Sequence, residues 1–260
     1  MKTNFKKLLY SGVTLMSIGI LVACSSTSSS MTTSSSAATS QSSASTTSSN
    51  STSSDSSSSS SSIDWSALPT TEVTLSNDGL KITEGGTYIL TGSTTAGVTV
   101  ETDANVRIIL AGAEISSSDT AAINVINADN VELEIKDGTT NTVKDTSNHT
   151  DTNIEGAIHV EADLTITGNG SLTVEGNFQD GIVSTDDLVV NSGNITVTAV
   201  DDGIRGKDSL TINGGTIDVT APTSAFDFDG TVEFTGGTVT VNGEQITEIV
   251  HTGPGGRGGW

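Results

Sequence analysis

The chain has 260 residues and carries 31 Asp and Glu against 10 Lys and Arg, a formal charge of −21 that disfavours nucleic acid and anionic lipid as partners on Coulomb grounds. Aromatic residues make up only 3% of it, which argues against a sugar-stacking platform, and one cysteine excludes an intrachain disulfide.

The N-terminus reads as a targeting segment. Lys2, Lys6 and Lys7 form a positive region, and the apolar stretch Val13 to Val22 is too short and too polar for a membrane-spanning helix. The stretch ends at Leu21-Val22-Ala23-Cys24, which resembles the bacterial lipoprotein cleavage box. Residues 1–23 are therefore expected to be a signal peptide, and Cys24 the lipidated new N-terminus, anchored on the extracellular face of the cell membrane by two or three acyl chains. Residues 25–62 are almost wholly Ser and Thr. That composition cannot bury enough apolar surface to offset its ordering entropy, so a disordered tether is expected, with a mean span of about 30–40 Å.

From residue 63 onward the balance is 30 acids against 7 bases, because three lysines and Asp55 precede it. This part repeats. Asp180-Gly-Ile-Val-Ser-Thr-Asp-Asp-Leu-Val-Val-Asn-Ser-Gly is followed 22 residues later by Asp202-Gly-Ile-Arg-Gly-Lys-Asp-Ser-Leu-Thr-Ile-Asn-Gly-Gly, and a third copy runs through Phe226, Val232 and Phe234. A fixed period of this size marks a solenoid, in which each repeat buries its apolar side against its neighbours. The runs are short, β-branched and alternate with period two, so they are strands.

Four columns are predicted: Ile158, Ile182, Ile204 and Phe226; Leu164, Leu188, Leu210 and Val232; Ile166, Val190, Ile212 and Phe234; and Leu172, Ile195, Ile217 and Val239. Val98 and Ile123 are the expected earlier members of the first. Gly193, Gly215 and Gly237 mark corners. Between Asp137 and Gly156 a polar insertion is expected to leave the coil as a loop. The fold class is all-β, a right-handed parallel β-helix of about six or seven coils spaced about 4.8 Å apart, over residues 63–247. A β-sandwich lacks such a repeat, and the Gly-Gly-x-Gly-x-Asp signature of a calcium-binding roll is absent. The tail, residues 248–260, is Gly-rich and expected to be disordered.

The register stacks acids into files. Asp180 and Asp202 fall on neighbouring coils about 5 Å apart, with Asp201 beside them, and two such charges repel by roughly 3–4 kcal/mol at an effective dielectric near 20. A cation, bound protons or good solvation must relieve that repulsion. Calcium suits the trio because it is hard, takes oxygen ligands and tolerates irregular geometry. A second file, Asp186 and Asp187 above Asp208, with Asp163 one coil earlier, has two readings. As turn-formers these residues bond their own backbone; as a secondary site they hold metal. The turn role is the main reading there.

The run Gly176-Asn-Phe-Gln-Asp-Gly-Ile, with Asp201-Asp-Gly-Ile-Arg-Gly-Lys-Asp and Ala225-Phe-Asp-Phe-Asp-Gly, resembles extracellular carbohydrate-binding β-helix proteins, similar in fold to polysaccharide-lyase family nine. The resemblance implies calcium at acidic corners and binding of polysaccharide, including acidic sugars. It carries the lyase calcium ligands onto Asp180, Asp201 and Asp202. The lyases have a further acid three residues beyond the pair, where this chain has Arg205.

Three functions follow as expectations. The first is a calcium-dependent polysaccharide-binding surface lipoprotein, monomeric and without nucleic-acid partners. The second is a weak uronate lyase in which Arg205 or Lys207 removes a proton acidified by calcium. In the alternative to that, the two bases only balance charge or contact sugar carboxylates. The third is a structural or adhesive envelope protein. His149, His159 and His251 are scattered without partner spacing and indicate neither a zinc site nor a triad.

Overall fold

A computed structural model describes residues 63–249. Residues 1–62, on which the expected signal peptide, Cys24 and the expected tether fall, and residues 250–260 of the tail lie outside the described residues.

The described chain is a parallel β-solenoid of about seven turns. After a short 3-10 turn at Trp65–Ala67, strands stack into a seven-stranded sheet and a 14-stranded sheet. The repeating coil shows how they arise. Strand Asp180–Ser184 belongs to the smaller sheet, and Asp187–Val190 and Asn194–Ala199 belong to two rows of the larger one. The long strand Val106–Ser116 joins those rows, since its first half pairs with Asn130–Ile135 and its second with Thr140–Lys144.

Every predicted column exists. Ile182 pairs with Ile158 and Ile204, and Ile204 pairs with Phe226. Leu188 lies between Leu164 and Leu210, and Ile195 between Leu172 and Ile217. Val98, Ile123 and Ile158 are consecutive members of the first column. Apart from Val232 and Phe234, which are partly buried, these side chains are almost fully buried, and the interior is a continuous, mainly aliphatic core that includes Phe226 and Phe228. The period-two pattern drives this: the strands turn their aliphatic positions inward and most of their polar positions outward.

The corners are held by side chains as well as by glycine. Asn213 donates to Asn191 at 2.9 Å, and Thr235 donates to Asn213 at 2.7 Å, which makes a polar ladder across three coils. Gly215 adopts φ +95°, and a Cβ there would lie 2.8 Å from the Gly193 carbonyl of the coil beneath. Only glycine accepts both conditions.

The insertion expected between Asp137 and Gly156 is shorter than its polarity suggested. Thr140–Lys144 is a strand of the larger sheet, paired with Ser171–Gly176, and only residues 145–155 leave the coil. The polar residue that hid this strand is Asn141, which points inward and is 1% exposed. Its Oδ1 accepts from the backbone N–H groups of Gly112 and Ala113 at 2.8 and 2.9 Å, bonds that the irregular join in Val106–Ser116 leaves open. A buried amide satisfied in this way is as compatible with the core as an aliphatic residue.

Candidate metal and ligand site

Asp180 and Asp202 start successive strands of the smaller sheet, and the residue before each lies at a corner. Stacking therefore brings Asp180, Asp201 and Asp202 together, with carboxylate oxygens all within 4.8 Å of one another. Asp180 and Asp202 are buried, whereas Asp201 is half-buried and faces the opening. Asp180 Oδ1 accepts the backbone N–H of Asp202 at 3.0 Å, which fixes one carboxylate against the next coil.

Burial pushes the Asp180 carboxyl up to about 7, reinforced by the charges of Asp202 and Glu155 and opposed by the Asp202 N–H bond and by Arg205. A carboxylate with this preference for neutrality is also one that gains most from a bound cation.

The same cleft is lined by Glu155, Gln179, Arg205 and Asp227. Arg205 projects outward from the strand after Ile204, and its guanidinium is divided between two acids: Nη1 lies 2.7 Å from Glu155 and Nε 3.2 Å from Asp227. Asp227 was within reach of sequence reasoning, since it stands 22 residues after Arg205 and pairs with it in the sheet. Glu155 was not, because it belongs to the connector 145–155, whose path no repeat dictates. Of the two proposed bases, Arg205 lines the cleft and Lys207 does not. A guanidinium held by two carboxylates stays protonated and is poorly suited to remove a proton.

The Asp186 file is arranged differently. Asp163 Oδ1 accepts from the Asp187 N–H at 3.2 Å, and Asp187 Oδ1 accepts from the Ser209 hydroxyl at 2.6 Å. The Asp186 N–H goes to the Ser184 hydroxyl and the Asp208 N–H to the Asp186 carbonyl. These bonds stitch one coil to the next at a turn. Among the described residues Asp186, Asp187 and Asp208 do not form a second convergent trio.

Two histidines are buried. His149 and Asp145 form a buried pair with Nε2 and Oδ2 3.0 Å apart, and the ring stacks on Phe178 at 4.3 Å. Their i, i+4 spacing was the only available signal, and in a loop it carries no geometric meaning. His159 is 3% exposed, and burial lowers its ring to about 4.

Comparison with known proteins places this parallel β-helix in a family. The family of carbohydrate-binding domain-containing proteins matches residues 76–253, and the chain belongs to that family. A carbohydrate-binding domain-containing protein of Acetivibrio thermocellus is 33% identical over 135 residues. That match covers 49% of this chain and 47% of the relative, so the chain spans about half of that protein's length. Among solved structures, the gadolinium derivative of a polysaccharide lyase-like protein from C. thermocellum superposes with a TM-score of 0.63 at 30% identity. It covers 65% of this chain and 81% of its own.

Proposed function

We propose that this protein is a calcium-dependent polysaccharide-binding lipoprotein of the cell surface, selective for acidic glycans. The observation that carries the reading is the convergence of Asp180, Asp201 and Asp202 within 4.8 Å, two of them buried. Three hard oxygen donors suit calcium, with backbone carbonyls, water or a sugar carboxylate completing six to eight ligands. The half-buried Asp201 leaves one side of the ion for such a ligand. Membership of a carbohydrate-binding family supports the partner class. The similar solved structure is a gadolinium derivative, and gadolinium, like calcium, is a hard cation that takes oxygen ligands.

Asp180, Asp201 and Asp202 would hold the ion, which would supply positive charge for a uronate carboxylate. The chain's own residues then have separate tasks. Asp180 and Asp202 would hold the ion from neighbouring coils, the half-buried Asp201 would be the ligand nearest solvent, and Arg205 offsets the charge of Glu155 and Asp227. The engagement of Arg205 with those two acids favours binding over lyase chemistry.

Calcium at millimolar concentration is expected to raise the melting temperature, since an ion at a hundredfold excess over its Kd stabilises by about 2.7 kcal/mol. Asp202→Asn abolishes most of that rise in thermal melts with calcium and with chelator, whereas Asp218→Asn, at an exposed position of strand Thr216–Thr220 in the larger sheet, leaves it intact. Equal melting temperatures in the two buffers remove the ion from the account.

The same proposal places a signal peptide at 1–23, the lipid on Cys24, a tether to residue 62 and the binding domain at 63–247. Cys24→Ala is expected to shift the protein from the membrane fraction to an unprocessed or shed form in cell fractionation. Normal processing and retention would contradict the anchor.

A further inference from the structure

We propose that His149 and Asp145 form a buried latch that positions the two chain segments entering the acidic cleft, which makes His149 a positioning residue for ligand uptake there. The inference rests on the cleft being the cation site proposed above. Both side chains are 0% exposed, although they belong to a connector outside the solenoid core. Each end of the pair touches a different approach to the cleft. His149 Nδ1 lies 2.5 Å from the carbonyl of Ile154, the residue before Glu155. Asp145 Oδ1 accepts the Asn177 N–H at 2.5 Å, and the His149 ring covers Phe178, two residues before Asp180.

The two approaches then close on each other. The Asp180 N–H donates to the Glu155 carbonyl at 3.0 Å, and Glu155 holds Arg205. The latch is thus the far end of a short chain of contacts that finishes at the first carboxylate of the trio.

Proton accounting explains why a histidine is used. The Ile154 carbonyl can only accept, so Nδ1 carries a proton. Nε2 and Asp145 Oδ2 lie 3.0 Å apart and have no hydrogen-bond partner among the described residues, so each buried polar atom has the other as its close polar neighbour. Burial favours the neutral form of Asp145, opposed by the Asn177 N–H and by His149. The contact keeps either group from standing isolated in the buried connector. His149→Phe keeps the stack on Phe178 and loses both the Ile154 contact and the Asp145 contact. Asparagine at 145 would keep the acceptor for Asn177 and offer an amide donor to Nε2 of a neutral ring.

The test uses the full chain, with hydrogen exchange of backbone amides and calorimetric titration with calcium. His149→Phe is expected to speed exchange about tenfold at residues 154–156 and 177–181 and to weaken calcium binding about tenfold, with the opposite row Leu188–Leu210–Val232 unchanged. Asp145→Asn keeps both readouts within about threefold of the parent, because the acceptor for the Asn177 N–H and a donor to the His149 ring are retained. Should His149→Phe fold too poorly to read, Phe178→Leu removes the stack alone and gives the same local signature at smaller size. Unchanged exchange at 154–156 and 177–181, or uniform loosening of all coils, overturns the latch. Local loosening with unchanged calcium affinity overturns its link to the cleft. If the parent binds no calcium while His149→Phe still loosens those segments, the cation reading fails and the latch stands.

Discussion

Asp180→Asn is expected to stabilise the calcium-free protein above neutral pH. The Asp180 carboxyl ionises near 3.8 in the unfolded chain and near 7 in the folded one, with burial the main cause. Below the unfolded value both states hold the proton, and Asp180 costs folding nothing. As pH rises towards and past 7 the unfolded chain releases the proton readily while the folded chain must ionise a buried group, so stability is progressively lost. The full cost at pH 8 is roughly 4 kcal/mol, and for a domain of this size each kcal/mol moves Tm by about 2–4 °C. Asn is isosteric, and its side-chain oxygen still accepts the Asp202 N–H. Melting in chelator should therefore place Asp180→Asn about 8–16 °C above the parent at pH 8, with the two converging near pH 4. Calcium reverses the advantage in sign of response: the parent rises and the variant does not. A variant less stable than the parent in chelator at pH 8 would show that Asp180 is not held against its own charge.

Gly203→Ala should be among the most damaging single changes. Gly203 follows Asp202, where successive coils approach closely. A Cβ would lie 2.2 Å from Val219 Cγ1 and 2.6 Å from the Ala225 carbonyl. Val219 is fully buried and Ala225 lies within strand Ser224–Asp227 of the next coil, so neither can retreat without separating coils. Overpacking of this kind costs about 3 kcal/mol, or about 6–12 °C in Tm, and it also displaces Asp202, so calcium stabilisation should fall with it. Gly243→Ala is the control. Nothing lies within 4 Å of its Cβ, and only its φ of +87° opposes substitution, at a cost of about 1 kcal/mol.

The fold was legible because the last three coils are equal in length. Ile182, Ile204 and Phe226 share one column at an unbroken spacing of 22, and the same spacing stacks Asp180 on Asp202. Upstream the coils vary, with 35 residues between the paired Ile123 and Ile158, so periodicity could not place Thr140–Lys144. Asn141 added to the difficulty, since hydropathy cannot tell an inward amide that serves two backbone donors from a loop residue. The cleft divided along the same line. Its floor, made by repeat positions, could be read. Glu155, Asp145 and His149 come from the connector, where tertiary contact alone decides which side chains meet.

The central claim is that the acidic corner recruits acidic polysaccharide through calcium. The direct measurement is co-sedimentation of the full chain with insoluble polyuronate in calcium and in chelator, with absorbance of unsaturated uronate followed in the same samples. A domain with 30 acids and 7 bases should repel a polyanion unless a divalent ion joins carboxylate to carboxylate. The account predicts sedimentation with calcium, none in chelator, none for Asp202→Asn, and no rise in absorbance. Equal sedimentation in both buffers, or none in either, would contradict it, and accumulation of unsaturated product would make the protein a lyase.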